Sequence, residues 1–161
     1  MIFKIFIFIF VYIIINLLGY LTHRAFHQKW SGFFYRAHHN HHYIQYPPND
    51  FFSEAYRSAG KDNSGKFFIL AFLPMIIGWF VFVFLAHISL VIGIGVIIEM
   101  VIIGLAHDIL HDAFHIQNHW LNKFAIFRRW VELHKIHHID VSKNYGIFDF
   151  LWDRVFGTFE K

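Results

Sequence analysis

The sequence predicts an all-α integral membrane protein. It reads as a single domain over 1–161, with about three transmembrane helices and a cytosolic helical cap that carries clustered histidines. Two observations predict this. Of the 161 residues, 57% are apolar and 21% aromatic, gathered in long tracts broken by few charges, a composition typical of membrane chains. Most of the fourteen histidines recur at helical spacing just beyond those tracts.

Residues 2–21 are apolar except for Lys4 and Asn16, about the twenty residues a helix needs to cross a bilayer. No small-residue cleavage site follows, so an uncleaved anchor is expected rather than a signal peptide. The helix should continue through His23 and His27, one turn apart. Trp30, Phe33, Phe34 and Tyr35 suit either a membrane interface or a core. The segment from His38 to His42 reads as a helix that stops near Tyr46, because Pro47 and Pro48 remove donors and restrict the residue before them. Residues 59–66 (AGKDNSGK) form a polar connector. Residues 67–106 are apolar and long enough for two spans, at about 67–86 and 88–106, joined by a turn near His87. Three crossings place both histidine regions, 23–42 and 107–138, on one side of the membrane. Residues 120–133 put Trp120, Phe124, Phe127 and Val131 on one helical stripe, as in a helix resting on the bilayer or packed on a core.

Six of the fourteen Lys and Arg residues lie in 24–66 and seven in 123–161, leaving only Lys4 elsewhere. By the positive-inside tendency the histidine side is cytoplasmic, in a multi-pass protein of a bacterial inner membrane or an ER-type membrane. The net charge of +3, without a basic run, gives no support to nucleic-acid binding. The lack of cysteine excludes disulfides, cysteine-ligated iron–sulfur clusters and thiolate zinc sites. Glu99 is the acidic residue inside a span. Such a carboxylate either lines a functional path or is a protonated group bonded to a neighbouring helix, with Asn16 as a candidate partner.

The chemistry lies in the histidines. HHNHH and HKIHH each place residues i, i+3 and i+4 on one helical face, so that His38, His41 and His42, and again His134, His137 and His138, form three-imidazole claws. A pair at i, i+4 precedes each: His23 with His27, and two of His107, His111, His115 and His119. Neutral imidazole is the commonest transition-metal ligand, and a doubled set of about ten implies more than one ion. The four histidines from His107 to His119 drift only about 40° per step around a helix, and one or two of them are surplus to the ligand set. Asp108, Asp112 and Asp140 lie beside the boxes. They are candidates to accept the spare N–H of a ligating ring, or are ordinary solvated charges.

The ordered boxes HRAFH, HHNHH, HDILHDAFH and HKIHH, closed by NYGIFDFLWDRVFGTF over 144–159, resemble the fatty acid hydroxylase/sterol desaturase superfamily of integral-membrane oxygenases. An HxxxH alone is weak, whereas four boxes in order with the WDRVFGT ending are specific. FRRWVELHKIHH is also similar to carotenoid ring hydroxylases, a branch that the ending fits less well. The resemblance implies two iron ions, for which zinc can substitute in purified protein, and dioxygen as co-substrate. It also implies a membrane lipid substrate and an external electron donor, a reductase with a ferredoxin or cytochrome. It places the ligands at His23, His27, His38, His41, His42, His111, His115, His134, His137 and His138, and asks for no catalytic side chain beyond them. It favours His111 with His115 as the third-box pair and keeps His107 in reserve. Members usually carry four or more membrane helices, so three spans imply that a second copy of the chain completes the substrate tunnel.

Hydroxylation of a fatty acyl chain, sterol or carotenoid is the expected reaction, with desaturation at the same site as its closest alternative. A membrane metal transporter would instead need ligands within the bilayer and a polar path across it. A zinc hydrolase would need about three ligands, an open position and a general-base glutamate beside a box.

Overall fold

The computed structural model describes residues 2–57 and 67–161. The predicted connector at 59–66 lies outside the described residues. Among those described there is no β-strand, only one isolated bridge between Ser53 and Ile116.

Helix α1 (Ile2–Phe26) is 25 residues long, about 37 Å, which exceeds the roughly 30 Å hydrocarbon core. Its last turn carries His23, and His27 sits just past the helix end. After a 3-10 turn at Lys29–Ser31, α2 (Phe33–Asn40) runs into a π turn, His41–Gln45. The helical path stops at Tyr46, ahead of Pro47, as the prolines require. Helices α3 (Phe67–Leu85) and α4 (Leu90–Ala113) form an antiparallel hairpin whose tight connection bends at His87, with φ +50°. Helix α5 (Ala125–Ile139) carries the last triad, and α6 (Leu151–Phe156) closes the chain against α1.

α1, α3 and α4 are each long and apolar enough to cross a membrane, over Ile5–Phe26, Phe67–Leu85 and Leu90–Ala113. Only 17–33% of each span's most apolar window is buried within the chain. The remainder presents side chains such as Phe10, Phe80, Phe84 and Ile102 outward, an arrangement that is stable in lipid and costly in water. The three helices meet around Ile15, Phe72, Val96, Met100 and Ile103. A second core lies under the histidines and is built from Phe26, Ala37, Phe51, Phe67, Phe68, Phe114, Phe127 and Ile147. α1 can approach α4 closely because residue 19 is glycine: a Cβ there would stand 2.6 Å from His107 Nε2.

Two expectations need correction. The stripe from His107 to His119 does not continue along one helix, because α4 ends at Ala113. Phe114 turns into the core, and the chain then pairs with the loop before it: Ser53 N–H donates to His115 O and Gln117 N–H to Ser53 O. The stripe from Trp120 is likewise broken. Trp120–Lys123 is a 3-10 turn, Phe124 is extended, and Trp120 and Phe124 stay exposed while Phe127 and Val131 face inward.

Asp108 has a structural role. Its carboxylate accepts from the backbone N–H of Phe68 and of Ile69, at 2.9 and 3.1 Å, and so caps the start of α3 from α4. Those donors have no partner inside their own helix. Asp108→Ala is expected to cost about 1–3 kcal/mol, read as a lower melting temperature in detergent with metal content per folded chain unchanged.

Candidate metal centre

The last turn of α1, the α2–π segment, the end of α4 and α5 converge, and their histidines form two adjacent groups. In the first, His23, His27, His38, His42 and His137 each contribute a ring nitrogen, all within 4.8 Å of one another. In the second, His41, His115, His134 and His138 do the same. The groups touch, with the His42 and His138 rings stacked at 3.9 Å.

Each triad is divided between the groups rather than acting as one claw. The i and i+4 members share a group, His38 with His42 and His134 with His138, while the i+3 members, His41 and His137, cross to the other. On a helix i and i+4 differ by only about 40°, whereas i+3 and i+4 differ by about 100°, so a triad clasped from both sides splits this way.

All nine rings except His27 are 0–2% exposed. Burial, reinforced by the neighbouring imidazoles, holds His38, His41, His42, His115, His134 and His137 far below the usual histidine pKa. His27 is lowered to about 2 and His138 to about 3, again mainly by burial. Neutral rings have a lone pair to offer a metal.

Which nitrogen carries that lone pair is set by backbone carbonyls. The Nδ1–H of His23 donates to Tyr145 O at 2.6 Å and that of His137 to Lys143 O at 2.6 Å. His138 donates to Tyr46 O at 2.8 Å and His115 to Phe51 O at 3.0 Å. A neutral ring that gives up its Nδ1–H turns a bare Nε2 inward. The Nε2 atoms then crowd together: His38 Nε2 lies 3.1 Å from that of His23, 2.9 Å from that of His27 and 3.1 Å from that of His42. His134 Nε2 lies 3.3 Å from that of His115 and 3.2 Å from that of His138. One proton on His38 cannot satisfy three such neighbours. Two nitrogens bound about 2.1 Å from a common ion at 90–110° would be about 3.0–3.4 Å apart, so the spacing fits a metal in each group. Nε2 of His111 and both nitrogens of His41 are buried without a hydrogen-bond partner among the described residues, as donors that face a cation would be; Nδ1 of His42 and of His134 is also unpaired, but it is the ring nitrogen turned away from the crowded Nε2 atoms.

His111 lies against the second group, its ring 4.5 Å from His41 and 4.7 Å from His134, with that free Nε2, and stands farther from the first, 5.9 Å from His23 and 6.1 Å from His38. His107 lies outside them, donating Nδ1–H to Ile103 O and packed against Phe68, Phe72 and Phe148. His119 caps the 3-10 turn by accepting from Leu121 N–H.

A family model described as fatty acid hydroxylase matches residues 8–158. The chain belongs to the fatty acid hydroxylase family. It thereby belongs to the fatty acid hydroxylase/sterol desaturase superfamily, whose members are hydroxylase- or desaturase-class oxidoreductases dependent on metal. Comparison with curated proteins and with solved structures gives no match.

Within this family member the three aspartates do not hold the imidazoles. Asp108 caps α3, and Asp140 is exposed and bonded to Ser142. Asp112 approaches His111 Nδ1 no nearer than 4.0 Å. The carbonyls of Tyr46, Phe51, Lys143 and Tyr145 take that part instead. No side-chain pattern encodes them; the only sequence signals were the Pro47–Pro48 stop and the NYG at 144–146.

The buried imidazoles make the metal-free protein acid-sensitive. Their folded pKa values lie below the unfolded value of 6.5, so below pH 6.5 the unfolded chain binds more protons and stability falls with pH. The melting temperature of metal-free protein is expected to be flat above about pH 7 and to drop steadily as pH falls below 6.5.

Proposed function

We propose that this protein is a dioxygen-dependent di-iron hydroxylase acting on a membrane lipid. The observation that carries the reading is the pair of adjacent, all-imidazole groups with lone pairs turned inward. His23, His27, His38, His42 and His137 would hold one iron, and His41, His115, His134 and His138 the other, with His111 beside the second. A pair of iron ions so held supplies the redox chemistry by which dioxygen and two electrons oxidise an unreactive C–H bond.

The chain's own contribution is to fix, shelter and feed the site. Carbonyl bonds hold the rings in one tautomer. Tyr46 stacks on His115 at 4.0 Å, and Phe51, Phe68 and Phe114 lie against the histidines, which excludes water from the reacting volume. A crevice of about 440 Å³ among α1, α3 and α4 is lined by Phe10, Ile14, Met75, Trp79 and Met100 and suits a hydrocarbon chain entering from the bilayer. Between it and the metal groups stands a column of Phe72, His107 and Phe68, with Phe68 5.6 Å from His23. Residues 1–161 carry no flavin, dinucleotide or haem motif, and a reductase with a ferredoxin or cytochrome would supply the electrons. A second copy of the chain would supply the walls that three spans leave open. The transport reading has little to rest on: Asn16 donates to Tyr12 O in its own helix, and Glu99 does not meet it.

Untargeted lipid mass spectrometry on a host expressing the chain, against the same host expressing His137→Ala, tests the reaction. A lipid that gains one oxygen with the intact chain and returns to background in the variant is expected; loss of two hydrogens would make the enzyme a desaturase. For the orientation, single cysteines placed at Glu54 and His87 of this cysteine-free chain should label from the cytoplasmic and opposite sides respectively. The reverse pattern would overturn it.

A further inference from the structure

Each metal group has two of its rings locked by carbonyls from a single loop. His23 and His137 donate to Tyr145 O and Lys143 O, both within residues 143–146. His115 and His138 donate to Phe51 O and Tyr46 O, both within residues 46–51. Carbonyls aim only as well as their loops are held, and each loop is tied by one ionic side chain that touches no histidine.

The first tie is Asp153, 0% exposed. Its Oδ1 accepts from Tyr145 N–H at 2.8 Å and from the Thr158 hydroxyl at 2.7 Å, and its Oδ2 accepts from Gly146 N–H at 2.8 Å. The carboxylate thus gathers the loop around itself, and residue 146 must be glycine, since a Cβ would stand 2.3 Å from Asp149 O and 2.8 Å from Asp153 Oδ2. Asn144, at φ +51°, completes the frame by bonding Leu133 O within α5 and both backbone groups of Glu160. The second tie is Arg57. Its guanidinium donates to Gln45 O at 2.8 Å, to both Asp50 oxygens and to Phe52 O, and its backbone N–H donates to the Tyr46 hydroxyl.

We infer that Asp153 and Arg57 are positioning residues, each serving one of the two metal groups by holding the loop whose carbonyls select the Nε2 lone pairs of that group. The inference rests on the metal reading above. It also gives the closing NYG…D…GT segment a purpose, as a tautomer lock for the first group.

The test titrates metal-free protein in lipid nanodiscs with Co²⁺, following stoichiometry, affinity and the cobalt absorption bands. The intact chain is expected to take two ions. Asp153→Ala should keep one ion at unchanged affinity and bind the other about 10–100-fold more weakly, the usual cost of losing support behind a ligating histidine. Arg57→Ala should do the same to the other ion, and the double substitution should weaken both. Thr158→Val, which removes one of the three bonds to Asp153, should weaken the same ion as Asp153→Ala by a smaller factor, and decides the matter if Asp153→Ala does not fold. Two ions at unchanged affinity in these variants, or equal weakening of both ions by either single change, would overturn the inference alone. An intact chain that takes up no metal would overturn the metal reading and this inference with it.

Discussion

Nine imidazoles, all but His27 buried, occupy two small volumes, and to bind a metal every one has to be neutral with a nitrogen left bare. This constraint governs the rest of the molecule. A buried neutral imidazole has one N–H to place and one lone pair to aim, and both are costly to leave unmatched in a dry interior. Four of the rings place the N–H on backbone carbonyls, and those carbonyls come from two loops, where the backbone oxygens are not committed to a helix ladder. The irregular stretches around Tyr46–Phe51 and Lys143–Gly146 are thus as much a part of the site as the helices that carry the ligands. The aromatic core beneath them keeps the rings dry and immobile.

The division of each triad follows from the same crowding. A π turn is wider than an α turn and is common at functional sites. Here it spans His41–Gln45, beginning at the residue that crosses from one group to the other. The last triad manages the crossing on an ordinary α-helix, α5, so the two halves of the site are alike in arrangement but not in backbone. The halves are interlocked, each triad contributing to both groups, and neither group can be assembled from one half of the chain.

Much of this was legible in the residues. The three apolar tracts, the turn at His87 and the stop at Tyr46 follow from hydropathy and proline chemistry, and the histidine spacing located the candidate ligands. The misreadings have local causes. Periodicity continued the stripe past His111, but the pull of Phe114 into the core and the bridge from Ser53 to Ile116 ended the helix at Ala113. Asp108, Asp112 and Asp140 stood open between holding imidazoles and being ordinary solvated charges, and the hydrogen bonds favour the second for Asp140 and a helix cap for Asp108. Backbone carbonyls are present at every residue, and nothing in the side chains marks the four that are used. Span length gave the α1 crossing but could not show that Gly19 lets α1 close onto His107, which needs the register of two helices distant in sequence.

α1 and α4 are two of the three apolar helices and also the bearers of His23 and His111 in their final turns. No flexible hinge separates the part that senses the bilayer from the part that carries a ring. A helix whose apolar length mismatches the surrounding hydrocarbon answers by tilting, and a tilt of α1 relative to α4 swings His23 against the rings from α2 and α5. Bilayer thickness would on this geometry be a mechanical input to the site, since lipids too short or too long for these spans would strain the histidine geometry before the helices themselves came apart.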